Sequence, residues 1–277
     1  MVSGFQLPPI GFGPGSQDPE GEVDYLALPS GMRTYAPHIP DVDGREDAAA
    51  PALHLLAALA DACEATAADG RNREFDLSPL PPESRALLAE TLGQGEVAMK
   101  IRGIPAIAAQ ESVFAGVWVL AGAGVEKIEV GAVPMLARAR AHVPHRPAIG
   151  ALARKMPGVV NAPSLLSELM SKSQAHHPGD APHVVNLSLL PHTEEDLVWL
   201  DEALGEGAVT ILSRGYGNCR LTALAQAHVW RVQFFNSMDT LILDTFGVTG
   251  MPEVALAATE DLEDSAGRIR EVLEAIR

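Results

Sequence analysis

Two stretches of the sequence, 112 residues apart, resemble each other, and this repeat constrains the fold more than any other feature. Of the 31 residue pairs between 88–118 and 200–230, 11 are identical, where ordinary composition gives roughly two or three. The identical pairs include Gly93 and Gly205, Gly95 and Gly207, Arg102 and Arg214, and Trp118 and Trp230. A weaker match continues upstream at an offset of 110. The sequence therefore predicts two tandem copies of one structural unit.

The repeat divides the chain into four predicted segments. Residues 1–50 hold seven glycines, seven prolines and eight acids against two arginines, a composition typical of an extended arm. Repeat 1 is predicted over 51–140 and repeat 2 over 162–277. The connecting segment, 141–161, overlaps a basic stretch, 138–155, that contains no acid. We expect this basic stretch to fold back on the acidic arm rather than to bind an anionic partner.

Each copy is predicted to contain two helices. Apolar residues at helical spacing predict a first helix at about 52–67 in the first copy and at about 163–172 in the second. A second helix follows and ends at Gly93 or Gly205, because glycine tolerates the left-handed conformation that closes helices. In the second copy this helix begins at Thr193, which has the spacing of a capping box with Asp196.

The helices are followed by extended segments. Alternating apolar residues over 97–101 predict a half-buried strand, and turns at 122–124 and 236–239 predict antiparallel hairpins. A C-terminal helix is predicted over about 252–277, beginning at Pro252. We therefore predict an α+β fold of two tandem copies of a helix–helix–antiparallel meander unit, preceded by an extended Pro/Gly-rich arm. Each copy is expected to cover the open face of the other's sheet.

Composition and charge narrow the class of protein and its compartment. The net charge of −16 and the isoelectric point near 4.9 argue against nucleic acid as a main partner. The longest apolar stretch, 104–125, is interrupted by Gln110 and Glu111, so no membrane insertion is predicted. The N-terminus lacks the basic and apolar regions of a signal peptide. Cys63 and Cys219 provide no disulfide framework, and a reducing cytoplasm is the expected location.

No catalytic motif is present in the sequence. Phosphate-binding, nucleophile-elbow and zinc-protease patterns are absent. We therefore predict no catalytic residue, cofactor or metal ligand and do not expect an enzyme. Two features keep open a metal-handling or iron–sulfur-cluster-handling role. Cys219 lies in a polar, glycine-rich turn with two nearby cations that could lower its pKa, and the favoured alternative to a reactive thiol is a half-buried cysteine at the start of a strand. The histidines of 176–192 form a cluster, although their spacing is typical of a solvated loop.

Three segments near the C-terminus resemble the HupH/HyaF family of hydrogenase expression/formation proteins. They are Arg214-Gly215-Tyr216-Gly217-Asn218-Cys219-Arg220, Val229-Trp230-Arg231-Val232-Gln233-Phe234-Phe235-Asn236-Ser237 and Thr240-Leu241-Ile242-Leu243-Asp244. Two arm motifs, 13–17 and 28–32, agree with the family pattern, so the resemblance covers nearly the whole chain. The family is also known for a duplicated C-terminal region, which fits the repeat.

The resemblance implies a cytoplasmic accessory factor in [NiFe] hydrogenase maturation. Members of the family are associated with the small, iron–sulfur subunit precursor, beside a thioredoxin-like partner, before twin-arginine export. The family has no accepted catalytic residues. A partner contact is predicted at Arg214, Gly215, Tyr216, Gly217, Asn218, Cys219, Arg220, Asn236, Ser237 and Asp239. The first copy has Gly103-Ile104-Pro105-Ala106-Ile107 at the equivalent turn, so only the second repeat is expected to keep this contact.

Three functional hypotheses follow from the sequence. The leading one is a non-catalytic chaperone or scaffold for the small-subunit precursor, whose acidic surface attracts a basic leader in a salt-dependent way. The second is a metal-handling or cluster-handling protein that uses Cys219 or the 176–192 histidines. The third is a structural spacer that bridges two maturation proteins, one per repeat. For Asn236 and Asp239, a turn stabilised by their own side chains is the alternative to binding.

Overall fold

The computed structural model describes residues 46–215 and 217–276, which form an α+β fold. The helices are α1 (Glu46–Asp69), α2 (Pro82–Leu92), α3 (Met135–Arg140), α4 (Ala162–Ala175), α5 (Glu194–Leu204) and α6 (Thr259–Ile276). The strands are β1 (Arg73–Asp76), β2 (Val97–Ile101), β3 (Ile107–Glu111), β4 (Val117–Gly122), β5 (Val125–Val130), β6 (His183–Asn186), β7 (Val209–Ser213), β8 (Asn218–Ala223), β9 (Val229–Phe235) and β10 (Leu241–Val248). All of these strands join one antiparallel sheet. The predicted α+β class is therefore confirmed.

The two halves of the sheet have the same internal order of strands. From the outer edge to the centre, the first half runs β1-β5-β4-β3-β2 and the second runs β6-β10-β9-β8-β7. The halves join where β2 pairs with β7, with Val97 opposite Ser213 and Ile101 opposite Val209. Two copies joined through equivalent strands would give this order. The duplication itself stays a prediction from the sequence.

The prediction that each copy covers the other's sheet holds only for α6 of the second copy, which packs over the first half. Because β2 and β7 pair edge to edge, the second half extends the sheet of the first half and does not pack on it. The face of the sheet that carries Trp118 and Trp230 is called the first face. It is covered by α3 and by the segment 251–256, whose apolar side chains join one core with the strands of both halves.

The opposite face, called the second face, is covered at its two ends by the helices described. In the first half α1, α2 and α6 pack over strand residues such as Ile128. In the second half α4 and α5 pack over strand residues such as Phe246. Between these two layers the side chains of Lys100, Leu212 and Arg220 are exposed. The described residues therefore leave an open strip of sheet along the central strands.

The C-terminal helix α6 begins at Thr259 and not at Pro252 as predicted. Pro252 instead precedes a one-turn 3-10 helix, Glu253–Ala255, for which the fixed φ of proline is equally suitable. α6 then returns to the first half of the sheet and packs beside α1 in the same core. Arg270 of α6 forms an ion pair with Asp61 of α1 at 3.0 Å.

The predicted ends of the second helix in each copy are confirmed. The Oγ1 atom of Thr193 accepts the Asp196 N–H at 3.0 Å, and the Asp196 carboxylate accepts the Thr193 N–H at 3.2 Å. The capping box at the start of α5 is therefore present. Gly93 and Gly205 follow α2 and α5 with φ of +53° and +66°, in the region that glycine occupies most easily.

The two paired tryptophans differ in one hydrogen bond. Trp118 and Trp230 are both fully buried, and Trp118 Nε1 donates to the Gly131 carbonyl at 2.9 Å. The Nε1 atom of Trp230 is buried with no hydrogen-bond partner in the described part of the chain. We expect Trp118→Phe to lower the free energy of unfolding by about 1–2 kcal/mol more than Trp230→Phe, because only the first leaves a carbonyl unsatisfied. Urea unfolding of both variants measures the difference, and equal losses would contradict it.

The basic stretch between the halves packs against the second half. Arg146 forms an ion pair with Asp201 of α5 at 2.7 Å, and its N–H donates to the Glu206 carbonyl at 3.0 Å. Residues 1–45 lie outside the described residues, so the contact expected between this stretch and the arm stays a prediction. α1 begins at Glu46, ahead of the predicted start near residue 52. Among the helices described, none combines the length and the apolarity needed to cross a membrane.

Candidate functional site

A cleft of about 450 Å³ opens at the end of the sheet where β7 leads into β8 and β9 leads into β10. It is lined by Leu212, Ser213, Arg214, Asn218, Cys219, Arg220, Phe235 and Asp239. Five of these residues, Arg214, Asn218, Cys219, Arg220 and Asp239, belong to the partner contact predicted from the sequence. The antiparallel pairing of β7, β8, β9 and β10 brings the β7–β8 loop and the β9–β10 turn to the same end of the sheet. This cleft is the candidate functional site.

Arg214 and Gly215, which follow β7, contact Glu96 of the first half. The N–H of Arg214 donates to the Glu96 carbonyl at 3.1 Å. A Cβ on Gly215 would lie 2.2 Å from Oε2 of Glu96, so glycine permits the close approach of this carboxylate. Gly217 has a φ of +91° and turns the chain into β8. Tyr216 lies outside the described residues. The loop therefore holds the backbone of Arg214 in a defined position.

The turn between β9 and β10 is stabilised by its own side chains, which was the alternative to binding. The Oδ1 atom of Asn236 accepts two backbone N–H groups of the turn, each at 2.9 Å. Ser237 is exposed at the tip. Asp239 has a φ of +56°, and its Oδ1 atom accepts a hydrogen bond from Asn218 Nδ2 at 3.5 Å. This last contact joins the turn to the loop on the other side of the cleft.

Two arginines at the cleft have no carboxylate partner in the described residues. The guanidinium of Arg220 lies 5.6 Å from the centre of the Phe235 ring, at a distance typical of a cation–π contact. Arg214 is exposed at the end of β7. Arg102, which stands at the equivalent place in the first half, forms an ion pair with Glu206 at 2.9 Å. Arg214 therefore presents a charge that is paired at the equivalent position, Arg102, and the position equivalent to Arg220 is the uncharged Ala108.

Of the two interpretations of Cys219, a reactive thiol and a half-buried cysteine at the start of a strand, the structure supports burial. Along β8, Cys219 and Leu221 point to the covered first face, while Arg220 points to the open second face. Cys219 is 3% exposed, and burial raises its pKa to about 11. The neighbouring arginines, which were expected to lower this pKa, lie where they do not offset the burial. Cys219 is a core residue and carries a neutral thiol at neutral pH.

Both cysteines are expected to resist alkylation in the native protein. Burial also raises the pKa of Cys63, on α1, to about 12. Because the thiolate is the nucleophile, iodoacetamide at neutral pH should label the folded chain at least ~100-fold more slowly than the urea-unfolded chain. Mass spectrometry of the labelled peptides measures both rates. Rapid labelling of Cys219 in the folded protein would contradict its assignment to the core.

The 176–192 histidines do not converge on one site. Their nearest partners are Asp180 for His177, Glu168 for His183, the Leu190 carbonyl for His192 and the His228 ring for His176. In residues 46–215 and 217–276, no group of three or more His, Cys, Asp or Glu side chains is placed to hold a metal ion. The metal-handling hypothesis therefore gains no site from the part of the chain described.

A stack of histidines beside Trp230 was missed by the sequence reasoning. The rings of His142 and His228 lie 5.8 Å apart, and His142 lies 5.5 Å from Trp230. His176 extends the stack at 4.7 Å from His228. Burial lowers the pKa of His142 and of His228, so both are neutral at pH 7. Because the three histidines come from separate loops, no local spacing in the sequence indicates that they meet.

The residues lining the cleft provide no catalytic pair. Asp239 is the only carboxylate among them, and no histidine lines the cleft. A nucleophile–base pair requires two such groups within hydrogen-bond reach. The most strongly shifted carboxyl in the described residues is that of Glu111, whose pKa burial raises to about 7. Its Oε1 atom accepts the Gly116 N–H at 3.1 Å and so stabilises a turn. The geometry of the cleft suits binding.

Comparisons with known proteins place these features in a family. The family model described as HupH hydrogenase expression protein, C-terminal conserved region, matches residues 49–143 and 159–276. Hydrogenase expression/formation protein HupH of Rhodobacter capsulatus is 66% identical over 100% of both chains. Hydrogenase expression/formation protein HoxQ of Cupriavidus necator is 42% identical over 99% of this chain and 98% of its own. Hydrogenase-1 operon protein HyaF of Escherichia coli is 31% identical over 72% of each chain.

The matched residues include both halves of the sheet and the whole of the cleft. The first matched segment, 49–143, contains β1 to β5, and the second, 159–276, contains β6 to β10. Loops 214–217 and 236–240, which form the cleft, lie inside the second segment. The resemblance noted in the sequence is thus confirmed by relatives that match over most or all of their length. The chain belongs to the HupH/HyaF family of hydrogenase expression/formation proteins.

Proposed function

We propose that the protein is a non-catalytic accessory factor in [NiFe] hydrogenase maturation. It acts as a chaperone or scaffold that binds the small, iron–sulfur subunit precursor before export. The names of the relatives, hydrogenase expression/formation proteins, support the process. The choice of binding over catalysis is supported by the cleft, which presents no acid–base or nucleophile–base pair among its lining residues. A thioredoxin-like partner stays a prediction.

The observation that carries this proposal is a group of four exposed apolar side chains, one lining the cleft and three in the adjacent β9–β10 hairpin. Leu212 is 47% exposed, Met238 79%, Leu241 44% and Ile242 61%. They lie on β7 and at the tip of the β9–β10 hairpin, on the same end of the sheet as the cleft. Groups of exposed apolar residues with a polar rim mark interaction sites. An incompletely assembled subunit would bury these side chains on binding.

Making the hairpin tip polar is expected to weaken capture of the precursor. The double variant Met238→Ser, Ile242→Ser removes apolar contact area from side chains that are already exposed, so the fold is retained. We expect capture of the small-subunit precursor by the tagged full chain to fall by about tenfold. Leu152→Ser with Val143→Ser is the matched control, since these residues are 88% and 51% exposed and belong neither to the cleft lining nor to the β9–β10 hairpin. Equal losses with both double variants would contradict a role for the hairpin tip.

The twin-arginine leader belongs to a separate part of the proposal. A net charge of −16 would accelerate encounter with a basic leader, and salt would screen the effect. Association rates measured with a leader peptide should therefore fall between low and physiological ionic strength. Association rates that do not change with salt would contradict electrostatic attraction between the acidic surface and the leader.

The spacer hypothesis predicts that each half of the sheet binds a different partner, but deleting one half at a time would not test this cleanly. β2 pairs with β7 through the middle of the sheet, and α6 packs in the core of the first half beside α1. Deleting either half would expose an unpaired strand edge and open a core. A loss of partner binding could then result from unfolding of the remaining half and not from removal of a contact. Point variants on the surface of each half avoid this difficulty.

A further inference from the structure

The cleft has a local charge opposite to that of the whole chain. The chain carries a net charge of −16, yet Arg214 and Arg220 face the cleft without a carboxylate partner in the described residues. Asp239 is the only acid that lines it, and its Oδ1 atom accepts a hydrogen bond from Asn218. An unpaired arginine presents a planar fork of N–H donors that matches a carboxylate.

Apolar surface lies directly beside these two arginines. Arg220 stands opposite Leu212 in the β7–β8 ladder, and Leu212 is 47% exposed. Arg214 lies two residues after Leu212, just past the end of β7, and lines the same cleft. Phe235 supports the guanidinium of Arg220 from below at 5.6 Å. One ligand segment therefore meets two cations and an apolar side chain at adjacent places.

We infer that the cleft binds a segment of the partner polypeptide in which a carboxylate stands next to a large apolar side chain. The inference rests on the proposed function and specifies the chemistry of its contact. The carboxylate pairs with Arg214 and Arg220, and the apolar side chain packs on Leu212 and Phe235. A twin-arginine leader does not occupy this cleft, because its cations would meet two further cations. Any leader contact lies on the acidic surface elsewhere.

Short overlapping peptides that span the small-subunit precursor test this inference against the purified full chain. Each acidic peptide is matched by one in which Asn or Gln replaces the acids. The variants are Arg214→Ala with Arg220→Ala, the same pair changed to Lys, and a control pair, Arg138→Ala with Arg154→Ala. Arg138 and Arg154 are exposed and do not line the cleft. The control therefore removes the same net charge. Unchanged melting temperatures establish that all variants fold.

Peptides with a carboxylate next to a large apolar residue are expected to bind best. The amide versions should bind about tenfold more weakly, the Arg→Ala pair should show the same loss, and the Lys pair should lie between. The control pair should bind like the natural chain. Equal binding of acidic and amide peptides, or leader binding that depends on Arg214 and Arg220, would overturn the inference.

Intact precursor separates failure of this inference from failure of the proposed function. Capture by the natural chain that is unchanged in the Arg214→Ala, Arg220→Ala variant overturns the inference alone. No capture by the natural chain overturns the proposed function and the inference together. Capture that increases in the variant also overturns the inference, and is the result expected if the acids of residues 1–45 occupy the cleft. If the natural chain is a dimer and the variant is a monomer, the cleft binds a second copy of the chain, which also overturns the inference.

Discussion

The change Asp196→Ala is expected to lower the free energy of unfolding by about 3–4 kcal/mol, because four backbone N–H groups lose one shared, buried acceptor. Asp196 is fully buried. Its Oδ1 atom accepts the N–H groups of Val160, Asn161 and Ala162 at 2.8–3.0 Å. Its Oδ2 atom accepts the Thr193 N–H at the start of α5. One carboxylate therefore ties the first turns of α4 and α5 together. Chemical denaturation measures the loss.

A matched control and the pH dependence test the same carboxylate. Asp201→Ala removes an exposed ion pair with Arg146 and should change the free energy of unfolding by no more than about 0.5 kcal/mol. Burial alone would raise the pKa of Asp196, but the backbone hydrogen bonds outweigh it and hold the pKa below 3.8. The unfolded carboxyl thus binds a proton more readily, so its stabilisation is present above its ordinary pKa and is lost as the pH falls through the lowered value. Equal effects of the two variants at neutral pH would contradict the shared cap.

The second large effect is expected for Gly207→Ala at the entry to β7. A Cβ at this position would lie 2.2 Å from the Ala141 carbonyl oxygen. The N–H of the next residue, Ala208, donates to the same oxygen at 3.0 Å and holds the two backbone segments together. Because backbone atoms must move apart, we expect the free energy of unfolding to fall by about 2–4 kcal/mol. At Gly95, the equivalent glycine of the first half, an added Cβ would lie 2.1 Å from the Ser112 carbonyl oxygen. Thermal and chemical unfolding measure the loss.

Gly267→Ala is the control for this substitution. Gly267 lies inside α6, and a Cβ there would meet no atom within 4 Å. Alanine is a better helix former than glycine, so the free energy of unfolding should rise by about 0.5–1 kcal/mol. If Gly207→Ala were as well tolerated as Gly267→Ala, close backbone packing would not explain why glycine occurs at both 95 and 207.

The parts of the fold that the sequence predicts are those decided locally. The Thr193–Asp196 capping box, the glycine ends of α2 and α5, and the turn at 236–239 depend on neighbouring residues and their backbone geometry. The burial of Cys219 was also visible in principle. In β8 the apolar side chains alternate with polar ones, which places Cys219 on the inward face.

The parts that were not predicted depend on partners distant in sequence. Strands β2 and β7 have similar alternations of apolar and polar residues. No local feature of either strand indicates that the two pair with each other and join the halves into one sheet. α6 has one apolar face, but such a face does not specify α1 as its neighbour. The open strip on the second face follows from where the helices pack. The exposed positions of Leu212 and Arg220 therefore follow only from the assembled sheet.

Co-purification of the full chain with the hydrogenase small-subunit precursor tests the central claim most directly. The precursor is supplied with its leader and without it, and the metal and iron–sulfur content of the complex is determined in the same sample. We expect the metal-free protein to capture the precursor, with any dependence on the leader locating a contact outside the cleft. A protein that captures no precursor but carries stoichiometric metal or cluster would contradict a binding factor and would favour cofactor handling.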